Sequence, residues 1–298
     1  MRIAACVVTR DRPGRLERCL CAIDRSTRRP DLVCVSDDSR SDDLIASTRA
    51  TAMQHTAVTY LPGPRRGVCA NRNNCLALAA SSDVIIFLDD DTLVDSDWFA
   101  NVELCYSRMP NGRADKTILV GLRHDEQGRC ELPSRINFLG HFESAIEPQV
   151  AGASYSAYPA AFFSEEAWDE NIYFGYEDAE LSMRAIERGY RLQYCPNLKA
   201  LNIGAGETTF ADPLTERVYV HSARLYFGIK RYLYTRRNIP YLIAFVFLFT
   251  LHLTAHLVRT HSMDKFPLIV KLAKLGTLLR GRSPVRRNPI PIPRGPYA

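Results

Sequence analysis

Short apolar runs that each end in polar or acidic residues constrain this chain more than any other feature. Residues 3–9 (IAACVVT), 32–36 and 84–88 are too short for helices and read as buried strands, with a weaker fourth run at 58–61. Between the first two, Leu16, Cys19, Leu20 and Ile23 recur at i, i+3, i+4, i+7 behind Pro13, the pattern of an amphipathic helix. A second helix is expected over 68–80. Continuous apolar strands alternating with helices predict an α/β fold whose sheet is mostly parallel, with helices on both faces. In such sheets ligands sit outside the carboxyl ends of the strands. Thr9-Arg10-Asp11, Asp37-Asp38 and Asp89-Asp90-Asp91 all fall at those ends.

The pattern loosens beyond residue 95. A helix is expected over 98–106 and a strand over 117–122, then a loop-rich stretch; a clear helix at 177–188 is stopped by Gly189. The predicted organisation is a nucleotide-binding half at 1–95, an acceptor-binding half at 96–215 and a basic, apolar helical segment at 216–298. The charge is uneven in the same way. The 298 residues carry a net +5, but residues 217–298 hold fifteen Lys/Arg and a single acid, Asp264. That segment is therefore +14 and the rest −9, so the segment calls for an anionic partner.

Residues 239–258 (IPYLIAFVFLFTLHLTAHLV) are long enough to span a bilayer, yet basic residues flank both ends. After them Phe266, Leu268, Ile269, Leu272 and Leu275 define an apolar face, with Lys271 and Lys274 turned away, as in a helix lying in a membrane interface. Lipid suits this mixture better than nucleic acid, which is not expected as a partner. The competing reading is an ordinary core helix packed on the rest of the chain. The end, from Ser283, is Pro/Arg-rich and reads as disordered. Nine scattered cysteines, odd in number and without a CxxC pair, suit reduced thiols better than disulfides or zinc. The opening apolar run is too short for a signal peptide. A protein on the cytoplasmic face of the cell membrane, peripheral or monotopic, is expected.

Three motifs carry chemistry. Asp89-Asp90-Asp91 ends a buried strand, where mutual repulsion calls for a cation. A hard divalent ion shared with a diphosphate would supply one; a solvated acidic turn is the bland alternative, and no GxxxxGK[ST] loop is present. Glu177-Asp178 opens a helix, which the helix dipole alone would favour. Asn71-Arg72-Asn73 precedes the strand at 84–88, and an arginine there can pair with a diphosphate or stack on a base.

The order of these blocks resembles the family 2 inverting glycosyltransferases of the GT-A fold. Residues 3–20 resemble the family's opening strand, Thr-x-Asn-Arg-Pro and helix. Val35-Ser36-Asp37-Asp38-Ser39-Arg40-Ser41-Asp42 resembles its Val-Val-Asp-Asp-Gly-Ser-Thr-Asp block. Asn71-Arg72-Asn73 with Asp89–Asp91 resembles Ala-Arg-Asn … Asp-x-Asp, and Trp168-Asp169-Glu170 through Arg184 resembles Phe-Asp-Glu … Gly-Glu-Asp-x-Glu-Leu-x-x-Arg. Together they span about the first 215 residues.

The resemblance implies transfer of a sugar from a nucleotide diphosphate to a hydroxyl of a glycan or lipid-linked glycan, with inversion and with Mn²⁺ or Mg²⁺. It implies roles residue by residue. Asp37 would accept the base's ring N–H beside the Thr9 backbone, which fits a UDP-sugar. Arg72 would lie near base and diphosphate, Asp89 at the ribose, Asp91 on the metal, and Asp178, paired with Glu177, would be the base. Two departures stand out. Asp11 occupies a common Asn position, and Asn202 stands where the family often has a metal-binding His. His221 is the other candidate ligand, although a histidine in an aromatic helical stretch is more often structural. Two rivals remain. A non-catalytic nucleotide-sugar-binding or membrane-anchoring module would not need the intact Glu177-Asp178 pair. A sugar-nucleotide pyrophosphorylase would need a Gly-rich N-terminal loop, and residues 9–15 hold only Gly14.

Overall fold

The computed structural model describes residues 1–55, 57–110, 112–204, 210 and 212–279. The Pro/Arg-rich end from Ser283 lies outside the described residues. The chain starts as β1 (Ile3–Thr9), α1 (Pro13–Asp24), β2 (Leu32–Asp37), α2 (Asp42–Met53), β3 (Val58–Pro62), α3 (Val68–Ala79) and β4 (Val84–Asp89). These four strands pair in parallel in the order β3-β2-β1-β4. Every residue of β1 is buried. The buried positions of α1 are Leu16, Cys19, Leu20 and Ile23, the four that the spacing selects. The helix α2 rests on a Ser41 cap, whose hydroxyl accepts from the Leu44 amide.

Beyond β4 the sheet becomes mixed. β5 (Thr92–Val94), α4 (Trp98–Ser107), β6 (Thr117–Asp125), β7 (Cys130–Glu131), the hairpin β8 (Ser134–Ile136) and β9 (Phe142–Ser144), β10 (Ser156–Pro159) and α5 (Ala160–Glu165) follow. Then come α6 (Glu177–Glu187), β11 (Arg191–Asn202), α7 (Pro213–Lys230), α8 (Ile239–Arg259), α9 (Phe266–Leu272) and α10 (Leu275–Leu279). β10 lies antiparallel between β4 and β6, β11 is parallel to β6, and β5 closes the far edge antiparallel to β11.

Separate apolar cores fill the two faces of the sheet. On one face Phe87, Tyr158, Phe163 and Trp168 meet edge-on around β4, with ring centroids 5.3–6.3 Å apart. A third core joins α7, α8 and α9. Phe245, Phe249, Leu253 and Leu257, four residues apart, form the buried stripe of α8, and Ile269 of α9 lies among them. Gly228 lets α8 approach closely, because a side chain there would collide with the Phe245 ring.

Two expectations change here. Phe266, Ile269 and Leu272 of α9 and Leu275 at the start of α10 pack inward on this third core, and Leu268 points outward. Nor is α8 an ordinary core helix. Tyr241, Ile243, Phe247, Leu251 and Val258 are each at least half exposed. All nine cysteines are free thiols.

Candidate active site

Strand ends and one helix start converge on a cleft of about 260 Å³. Thr9, Arg10 and Arg12 enter it from the end of β1, Asp89 and Asp91 from β4, and Glu177 from α6. The sequence separates Arg72 from Glu177 by 105 residues, and the fold joins them. The Arg72 guanidinium is buried and donates to Asp89 Oδ1 at 2.9 Å and to Glu177 Oε1 at 3.2 Å, with Asp178 Oδ1 3.9 Å away. Its other face lies 4.8 Å from the Trp168 ring. Asp89 also accepts from the Ser154 hydroxyl at 2.8 Å. Burial alone would raise the Asp89 carboxyl, but Arg72 and Ser154 hold it below its ordinary value.

The carboxylate triplet divides its tasks. Asp90 is fully buried and accepts from the Thr9 hydroxyl at 2.7 Å, while Arg12 pairs with it at 2.5 Å. Arg12 also reaches Asp91 at 3.2 Å, and Arg15 lies 3.6 Å from the same oxygen. The cation that the triplet demands is therefore supplied in part by arginines of α1. Asp91 still faces the cleft, and burial with the nearby Asp89 charge raises its carboxyl.

Because β5 follows directly after Asp91 and pairs with the end of β11, Asn202 comes to 3.4 Å from Asp91 Oδ1. The Asn202 amide nitrogen donates there to Asp91, and the carboxylates of Asp89 and Asp91 are the hard oxygen donors on this cleft wall, a pair that fits a divalent cation. His221 is elsewhere. It packs between α7 and α8, its ring 5.3 Å from that of His256, and it does not line the cleft.

Asp178 follows Glu177 on α6; its Oδ1 lies 3.9 Å from Arg72, and it is not among the residues that line the cleft. Burial, the Glu177 carboxylate and Asp89 push its carboxyl up to about 7, against the pull of Arg72. The neighbouring motif Asp169-Glu170 is structural at its first position. Asp169 and Glu180 both accept from Lys230 Nζ at 2.6 Å, tying α6 to α7. Burial would raise Asp169, yet Lys230 holds it down at about 2.

One site residue needs correction. Asp37 does not line the cleft. Its oxygens accept from the Tyr60 hydroxyl and the Ser39 amide, both at 2.8 Å. Asp38 is the acid that faces the cleft. Its amide donates to the Thr9 carbonyl at 2.9 Å, and its carboxylate accepts from the Arg65 amide at 2.7 Å. Gly63 makes room for it: a methyl there would lie 2.6 Å from the Asp37 carbonyl oxygen and collide with the Asp38 carboxylate. Strand alternation carries this signal in the sequence. Val33 and Val35 face the α1 side and set Asp37 on that side, whereas Cys34, Ser36 and Asp38 face α3. Arg12 and Trp168 were also missed as site residues, since nothing local distinguishes them from a solvated arginine and a core tryptophan.

The model of glycosyl transferase family 2 matches residues 4–119, from β1 into β6. In three dimensions the chain is similar to GalNAc-T7, solved with UDP, GalNAc and Mn²⁺. The TM-score is 0.58 at 17% identity, covering 80% of this chain and 52% of that one, so the chain spans about half of that protein's length. It is also similar to residues 1–349 of S. aureus TarS. The complex with UDP gives a TM-score of 0.54 at 15% identity, covering 83% of this chain and 71% of that one. The complex with UDP-GlcNAc gives 0.52 at 15%, covering 93% and 92%. No curated protein sequence matches. At these identities the structural likeness establishes the GT-A fold.

Proposed function

We propose that the chain transfers a sugar from a UDP-sugar onto a hydroxyl of a glycan or lipid-linked glycan, with inversion; the match of residues 4–119 to the glycosyl transferase family 2 model and the GT-A fold support this. One observation carries the reading. Arg72 clamps the nucleotide-side acid Asp89 to the acid pair Glu177-Asp178 across a single cleft. A binding module would need the first of these but not the second.

In this reading Asp38 and the Thr9 backbone hold the base, and Asp89 accepts from the ribose. Asp91, with Asn202 beside it, holds Mn²⁺ or Mg²⁺. A divalent ion there would offset charge on the departing diphosphate. Asp178 takes the proton of the acceptor hydroxyl as that oxygen attacks the anomeric carbon. Its raised pKa suits a base working near neutrality. Glu177 and Arg72 are positioning residues, fixing Asp178 against Asp89.

The outward face of α8 supports association with the cytoplasmic leaflet. The helix is long and apolar enough to cross a membrane by length and composition. Its buried stripe, however, is bound along three turns to the α7–α9 core, so the folded chain favours a helix lying on the surface with Phe247 and Leu251 in lipid. That posture suits a lipid-linked acceptor.

The test is release of UDP from UDP-sugars by the purified chain. EDTA should abolish it, Mn²⁺ or Mg²⁺ should restore it, and Asp91→Ala should lose the restoration. Full activity of Asp91→Ala in the presence of chelator would overturn the metal assignment.

A further inference from the structure

Away from the cleft, the outer side of α1 and the end of α2 bring together a second set of metal-ligating groups. Glu17, Cys21 and Asp24 occupy successive turns of one face of α1, and His55 arrives just past α2. The Glu17, Cys21 and His55 ligand atoms all lie within 4.8 Å of one another. His55 is nearly buried, with both ring nitrogens directed at acids: Nδ1 lies 2.5 Å from Asp24 Oδ2 and Nε2 3.3 Å from Glu17 Oε2. Cys21 Sγ lies 3.6 Å from Glu17 Oε1.

We propose that Glu17, Cys21 and His55 form a zinc site, with Asp24 orienting His55 through its Nδ1–H. The spacing is the main argument. Around a tetrahedral zinc, bonds of about 2.0–2.3 Å set neighbouring ligand atoms roughly 3.3–3.7 Å apart. His55 Nε2 lies 3.3 Å from one Glu17 oxygen and Cys21 Sγ 3.6 Å from the other, and all three ligand atoms lie within 4.8 Å of one another, close enough for side-chain rotation to bring them around one ion. The imidazole is also poised as zinc requires. A carboxylate on Nδ1–H fixes the tautomer that leaves Nε2 as the donor. The mixed N, S and O set favours zinc over the hard cation that Asp91 would take. Glu17 is partly exposed, so water can complete the coordination. The site joins α1 to α2 and stands apart from the proposed transfer chemistry.

Cobalt reports thiolate ligation directly. Chelator-treated full-length protein titrated with Co²⁺ should develop a thiolate-to-metal band in the near ultraviolet that saturates at one equivalent and is displaced by Zn²⁺. The band should vanish in Cys21→Ser, and Asp24→Asn should weaken zinc affinity by roughly 10–100-fold. A measurement on the unmodified chain guards against variants that do not fold. One equivalent of Zn²⁺, but not Mn²⁺, should slow alkylation of Cys21 by iodoacetamide, with the exposed Cys130 as internal control. Absence of the band, or alkylation of Cys21 at the same rate with and without zinc, would overturn the proposal and leave His55 as a plain ion-pair link between the two helices.

Discussion

Asp178 is held in an environment that disfavours its charge, and this has two measurable consequences. A carboxyl raised to about 7 must lose its proton before it can act as a base. The kcat/KM for transfer should therefore climb as pH rises through about 7 and level off above it. Asp178→Asn should lower turnover by roughly 10²-fold or more while leaving UDP affinity nearly intact. Stability moves the opposite way. The folded pKa lies above the unfolded value, so the ionised group costs stability as pH rises through the folded pKa. The Asn variant escapes that cost, and its Tm at pH 8 should not fall below that of the wild type. Wild-type turnover by the variant would remove Asp178 from the mechanism. In the proposed reading, base selection falls to Asp38. If its carboxylate takes a ring N–H, calorimetry should show UDP bound more tightly than CDP, and Asp38→Asn should erase the difference. A preference that survives in Asp38→Asn but disappears in Asp37→Asn would return the role to Asp37.

Among the elements, α8 has two faces that substitution should separate. Phe245 is fully buried over Gly228, and Phe245→Ala should destabilise the fold by about 3–5 kcal/mol. Phe247 and Leu251 are more than half exposed. The pair Phe247→Glu and Leu251→Glu should keep the wild-type Tm and lose sedimentation with anionic vesicles. Retained vesicle binding in that variant would place the lipid contact elsewhere. Deleting the C-terminal helices is a poorer test, since it strips the third core from α7.

At the scale of the whole molecule, the first 91 residues, α2 apart, were legible chiefly because β1, β2 and β4 are buried on both faces and α1 on one. That is where periodicity is cleanest. The later elements hide their pattern. α7 is packed by α6, α8 and α9, so its apolar positions ring the helix. β11 carries exposed polar residues and breaks register between Tyr194 and Lys199, around Pro196. β5 is three residues long. Of the residues that line the cleft, Arg72, Asp89, Asp91 and Glu177 could be chosen from motif order. Which of two adjacent acids turned to the cleft, and which arginine answered the aspartate triplet, depended on the pleat of β2 and the placement of α1.

The central claim is that this cleft binds a nucleotide diphosphate together with a divalent cation. Thermal melting of the full chain against UDP, CDP, GDP, ADP and dTDP, with Mn²⁺ or with EDTA, tests it most directly. Ligand at about 100 times its Kd contributes about 2.7 kcal/mol to folded stability, which is worth several degrees in Tm. The account predicts that UDP raises Tm in Mn²⁺, that EDTA removes most of the rise, and that Asp91→Asn loses the metal dependence. A Tm unmoved by every nucleotide, with and without metal, would contradict it.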